Sequence, residues 1–392
     1  MVEKRSYEWL KVVLVFCVLF VTGARSKELK SNPDEPAAKK ILAEFRIGKA
    51  GDPILLPVTF EGKEHLFLFD TGSSLMLFDI SFKHQLGVAK KNVIAKTAGS
   101  PMVVEVFDPP DAFLGPVSIK DYGEVGCCDL RMPSLVLGRK IGGIIGMNFL
   151  RNYVIRMNFD EGILSFLQPV KGQYSHWGKE MVFEYDSLGC PQITGRILDG
   201  IRVDFTLDTG LDALMLNIDI FKEIISKKET KTSETLYATA SGVIRRKEVR
   251  LDNLIVGPFE YRGLLLAEGN VSRLGLSFFY RHLVTFDFPN NRIYLKKGRN
   301  FEKVDETDMS GLHLLRISDE VVVYSVDEDS PAQKAGIESN DVILRVGDKD
   351  ANTYDICELR RVLMSGDKHK ITMTIKRADD VKELSFLLKK KI

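Results

Sequence analysis

The chain has 392 residues, of which 44% are hydrophobic and 28% charged, with a formal net charge of +1. At roughly 100–200 residues per domain that length suggests two or three domains, and the composition is ordinary for a soluble globular protein. The balanced charge excludes nucleic acid as an expected partner, and short basic clusters such as Arg245, Arg246 and Lys247 read as solvated faces.

Residues 1–26 read as a secretory signal peptide. Lys4, Arg5 and Lys11 precede an apolar run from Val12 to Val21, and the small residues Gly23, Ala24 and Ser26 follow before Lys27. The run is short for a membrane span, so the expectation is cleavage, no stable membrane anchor afterwards, and an exported product (periplasmic, cell-surface or secreted). Of five cysteines, Cys17 lies in this segment. Cys127, Cys128, Cys190 and Cys357 show no zinc-site spacing and read as structural or free, with any disulfide pairing left open.

From Pro53 onward the chain repeats itself. PILLPVTFEGKEHLFLFDTG, from Pro53 to Gly72, aligns without a gap with PQITGRILDGIRVDFTLDTG, from Pro191 to Gly210. Asp70 and Asp208 fall 138 positions apart (208 − 70), as do Pro53 and Pro191 (191 − 53). The likeness continues through Ile144-Ile145-Gly146-Met147 and Arg273-Leu274-Gly275-Leu276. Each unit then closes on a pair of strands, Val154 to Phe159 with Ile163 to Leu167, and Leu283 to Phe288 with Arg292 to Leu295. Helical pattern is sparse, with Phe221 to Lys227 the best short candidate. Two similar β lobes suggest a pseudo-twofold pair with a cleft between them.

Each unit places an aspartate at the end of an apolar strand, followed at once by Thr and Gly. Gly72 and Gly210 are expected to permit a tight turn of unusual dihedrals. Thr71 and Thr209 are expected to brace it by bonding backbone. Ser73 stands where it could hydrogen-bond Asp70 from outside; its counterpart Leu211 cannot. Two carboxyls brought within about 3 Å share one proton, so one is a base and the other an acid at the same pH. Such a pair can take a proton from water, polarise a peptide carbonyl and protonate the leaving nitrogen, with no metal and no cofactor.

FLFDTGSS and FTLDTGLD, with GGIIGMNFL and SRLGLSFF, resemble the aspartic peptidase clan of pepsins and retropepsins, nearest the bacterial retropepsin-like type with tandem lobes. The resemblance spans roughly Phe45 to Lys297. It implies Asp70 and Asp208 as catalytic residues, Ile145-Gly146 and Leu274-Gly275 packed beneath the turns, and Thr71 and Thr209 locking the turns together. It also implies hairpin flaps, with Ala98, Gly99 and Ser100 as candidates in one lobe and Ala240, Ser241 and Gly242 in the other. The first flap has no tyrosine of the kind pepsins carry.

From about Asp308 the character changes. SPAQKAG, from Ser330 to Gly336, followed by DVILRVGD, from Asp341 to Asp348, is similar to PDZ domains attached to bacterial proteases. The resemblance implies a loop at Gly311, Leu312, His313 and Leu314 that binds a C-terminal carboxylate, and a groove walled by a helix near Asp355 to Met364. On that helix Ile356, Leu359, Val362 and Leu363 give one apolar face. His313 stands where many such loops have Gly. A unit of this kind would hold substrate tails near the cleft or bind partner C-termini.

Six histidines lack any metal-ligand spacing, and no Gly-x-Ser-x-Gly or P-loop occurs. The expected fold is mostly β: a signal peptide (1–26), a linker (27–44), two pseudo-twofold aspartic-protease lobes (45–170 and 171–300) and a PDZ domain (308–392). The expected function is hydrolysis of polypeptide substrates. The alternative is a peptide-binding adaptor that keeps the fold without cleaving.

Overall fold

The computed structural model describes residues 40–392, apart from 50, 96, 98, 170–174, 199, 228–230, 240, 241 and 252. The signal-peptide expectation and the flap candidates Ala98, Ala240 and Ser241 lie outside the described residues. The described residues fall in one unit by their contacts.

Alternation builds the first lobe. In Leu55–Phe60 the residues Leu56, Val58 and Phe60 point inward while their neighbours are half-exposed. This strand turns back on Lys63–Phe69 and joins a nine-stranded sheet. At the centre of that sheet Ile141–Ile145 is buried along its whole length and runs parallel to Lys63–Phe69, the burial expected of an internal parallel strand. The second lobe repeats the plan in a ten-stranded sheet, with Pro191–Ile197 antiparallel to Ile201–Leu207 and Arg273–Leu274 parallel to it. The helix of this lobe runs over Ile218–Lys227, three residues earlier than the sequence pattern suggests.

The closing strand pairs do not stay within their lobes. Val154–Asn158 pairs antiparallel with His282–Asp287, Arg156 opposite Thr285, so both pairs merge into one six-stranded sheet beneath the two lobes. The outer strands of that sheet are Ile41–Arg46 and Lys179–Val182. The expected linker 27–44 thus already contains the start of an edge strand. One apolar core, including Phe69, Phe166, Phe205 and Phe286, runs through both lobes and the shared sheet.

The C-terminal unit is a separate six-stranded sheet with its own core, from Met309 to Leu388. Leu312–Ile317 is an edge strand, and Ile356–Val362 forms the longer helix, capped by the Asp355 side chain. Ser330 caps the short helix Pro331–Lys334, with Pro at its first position.

Candidate active site

The two Asp-Thr-Gly turns sit on matching supports. The Asp70 N–H donates to the Ile145 carbonyl at 3.1 Å, and the Asp208 N–H to the Leu274 carbonyl at 2.9 Å. Beyond each turn the chain is stitched again, Met147 N–H to the Ser73 carbonyl at 2.8 Å and Leu276 N–H to the Leu211 carbonyl at 2.7 Å. Gly146 and Gly275 permit this closeness. A Cβ would lie 2.3 Å from the Leu75 carbonyl oxygen at Gly146, and 2.1 Å from that of Ala213 at Gly275. Gly275→Ala is expected to cost about 3 kcal/mol, read as a lowered Tm and denaturation midpoint. Gly200→Ala, at a left-handed turn with open space around it, should cost only about 1 kcal/mol. Equal effects would remove the close-packing account.

The threonines cross between lobes. Thr71 N–H donates to Thr209 Oγ1 at 3.0 Å, and Thr209 N–H to Thr71 Oγ1 at 3.0 Å. Their hydroxyls donate to opposite strands, Thr71 Oγ1 to the Leu207 carbonyl at 2.6 Å and Thr209 Oγ1 to the Phe69 carbonyl at 3.0 Å. Both residues are fully buried. No water competes for these bonds, and a buried group left without its partner costs about 1–3 kcal/mol. The turns are therefore fixed to one another as well as to their own strands.

The carboxyls converge. Asp70 Oδ1 accepts the Gly72 N–H at 2.7 Å, and Asp208 Oδ1 accepts the Gly210 N–H at 3.0 Å. A Cβ on Gly72 would fall 2.4 Å from Asp208 Cγ, and one on Gly210 would fall 2.4 Å from Asp70 Cγ. Neither glycine has positive φ. They are thus required for space, to let each backbone approach the opposite carboxyl, and not for the unusual dihedrals the sequence suggested. Burial, and next the charge of Asp208, push the Asp70 carboxyl up to about 8.

A third group was not singled out in the sequence. Arg273 donates through its guanidinium to Asp208 Oδ2, with both side chains largely buried. Burial works against its charge, and Asp208 beside it outweighs that. Arg273 occupies the place of Ile144 in the duplicated segment. A charge at a position that is apolar in the other copy was the available signal. One other expectation is corrected. Ser73 Oγ donates to the Leu75 carbonyl at 2.8 Å and not to Asp70, because its hydroxyl stabilises the turn's own exit. All four described cysteines are free thiols, and Cys190 is buried with its thiol pushed up by burial.

Both lobes carry a hairpin in the flap position. The first joins Lys91–Ala95 to Met102–Phe107 and has Gly99 and Ser100 near its tip, with Ile94 and Val103 exposed. The second joins Thr232–Thr239 to Gly242–Leu251. Its Tyr237 hydroxyl donates to Glu248 on the facing strand, a bond that runs diagonally across the hairpin. Among the described residues no three His, Cys, Asp or Glu side chains gather as a metal site requires.

In the C-terminal unit the expected carboxylate loop is already occupied. Asp308 accepts N–H bonds from Ser310 at 3.0 Å and Gly311 at 2.5 Å and is bonded by the Ser310 hydroxyl. The Ser310 hydroxyl in turn accepts the Leu312 N–H at 3.0 Å. Leu312 and Leu314 point into the core, as does Ile356. His313 bonds Asp327 at 2.8 Å, as does Lys391 at 2.7 Å. Burial pushes the Asp327 carboxyl up, but these two partners outweigh it and hold it down to about 2.

Two lobes on a shared sheet, each offering an Asp-Thr-Gly turn to the other, define an aspartic-protease fold. Residues 56–149 and 193–276 match the family model described as aspartyl protease, and residues 322–377 match that of the PDZ domain. The chain therefore carries an aspartyl protease domain followed by a C-terminal PDZ domain. No curated protein matches it.

Proposed function

We propose that this chain is an exported endopeptidase that hydrolyses peptide bonds in polypeptides with a water activated between Asp70 and Asp208. The observation that carries the reading is the convergence of the two carboxyls, Asp208 buried and Asp70 half-buried, each held so close to the other turn that a Cβ on the facing glycine would fall 2.4 Å from its Cγ. Because Asp208 Oδ2 accepts from Arg273 and Oδ1 from Gly210, its role is the charged one. The shared proton rides on Asp70 Oδ2, since Asp70 Oδ1 accepts from Gly72.

Asp208 takes a proton from the water as its oxygen attacks the scissile carbonyl carbon. The Asp70 proton meanwhile hydrogen-bonds the carbonyl oxygen. The tetrahedral intermediate collapses when the nitrogen gains a proton from the pair and the C–N bond breaks, leaving a carboxylic acid and an amine. The signal-like pattern of residues 1–26 supports export. The PDZ domain supports peptide or partner binding, and the filled Asp308 loop argues against capture of C-terminal carboxylates there.

The test is a mixed peptide library incubated with the full chain from pH 3 to 9 in water labelled with heavy oxygen and in the presence of a chelator. One label in each new carboxyl is expected, with activity extending to neutral pH. The adaptor reading is favoured by one observation, the Arg273 ion pair that neutralises Asp208. It predicts binding of library peptides with no cleavage at any pH.

A further inference from the structure

The groove of a PDZ domain lies between its edge strand and its longer helix, here Leu312–Ile317 and Ile356–Val362. In this chain a piece of the first lobe, half-buried along its length, lies across it. The helix Arg131–Leu137 packs against both walls. Arg360, on the helical wall, donates to the Val136 carbonyl at 2.9 Å and to the Leu314 carbonyl of the edge strand at 2.9 Å, so one guanidinium joins both walls to the occupant. Gly138 ends the occupant helix in a left-handed conformation and lies close against Ile356: a Cβ would stand 3.1 Å from Ile356 Cγ2, a tight contact. Arg139 then pairs with Asp355, the cap of the groove helix, at 2.7 Å, and Asp52 of the same lobe pairs with Arg361. Together with Asp308 in the carboxylate loop, the features that would receive a peptide are met from within the chain.

The occupant is one residue from the catalytic support. Lys140 alone separates Arg139 from the strand Ile141–Ile145, whose last carbonyl accepts the Asp70 N–H. Ser134 strengthens the link, its Oγ accepting the Ile141 N–H at 3.0 Å. The same helix leans on Thr232–Thr239 of the second lobe's hairpin.

We propose that the PDZ groove is a receptor for the chain's own residues 131–139, and that an incoming peptide takes the groove only by evicting them, which loosens the strand that holds Asp70. The occupancy of the groove and the order of the dyad's support are then two readings of one equilibrium. The proposal takes the role of Asp70 from the reading above, but its test does not require cleavage.

The probe is a labelled peptide of residues 130–140, offered to the full chain. Arg139→Glu with Asp52→Lys reverses both lobe-side charges and leaves every groove residue intact. The variant is expected to bind the probe at least about tenfold more tightly than wild type, because the cis competitor is weakened. Amide exchange at 141–145 and at Asp70 is expected to rise by a similar factor. Arg360→Ala, which cuts the occupant's bond from the groove side, should raise the same exchange while losing the probe. The proposal is overturned if the double variant binds the probe no better than wild type, or if exchange at 141–145 stays at the wild-type rate in both variants. Absence of peptide-library cleavage would count against the peptidase reading and leave this result standing.

Discussion

Asp70→Asn is expected to abolish cleavage and at the same time to stabilise the fold. Loss of one member of an acid–base pair removes about 10³-fold or more in kcat/KM. The stability effect follows from the raised Asp70 carboxyl. Its ordinary value is 3.8, and burial with the neighbouring Asp208 charge lifts it to about 8 in the fold. The native state thus holds a proton that the unfolded chain has released, so wild-type stability falls as pH rises from about 4 to about 8. Asparagine keeps the shape and cannot ionise. The Tm gain of Asp70→Asn should be near zero at pH 4 and grow steadily to pH 8.

Asp208→Asn should lose activity to the same degree but move stability the other way. It leaves the Arg273 guanidinium largely buried without its closest counter-ion, at a cost of about 2 kcal/mol. Thermal melts of both variants at four pH values check this. Parallel shifts in the two would contradict the assignment of proton to Asp70 and charge to Asp208.

Arg273→Met is expected to displace the alkaline limb of the kcat/KM pH profile upward. The Arg273 charge lowers the Asp70 carboxyl, so removing it lets Asp70 keep its proton to higher pH. Arg273→Lys keeps the charge and should restore most of the limb's position. A merely structural role would lower activity evenly at every pH and leave the limb in place.

Much of this architecture was legible because the chain was duplicated. A gapless twenty-residue repeat places both Asp-Thr-Gly turns by itself, and alternation in LLPVTF gives its strand face. The sequence could not reveal the merger of Val154–Asn158 with His282–Asp287, since pairing between distant strands leaves no local period. Nor could it reveal Arg273 on Asp208, which depends on side-chain direction across 65 positions (273 − 208). Gly72 and Gly210 were found for the wrong reason: the sequence marks a glycine but not whether dihedral or space demands it. The expected PDZ loop at Gly311 to Leu314 carries no sign in the sequence of its filling by Asp308, which rests on short polar bonds to Ser310 and Gly311 that composition does not report.

The sheet shared by the lobes has a consequence for how the chain is made. Arg156 meets Thr285, 129 positions further along (285 − 156). A nascent chain emerging from its N-terminal end therefore completes nearly a whole lobe while the margin Val154–Asn158 is still bare. Bare strand margins recruit other chains. For that interval the half-made molecule offers its siblings the strand edge that His282–Asp287 later covers.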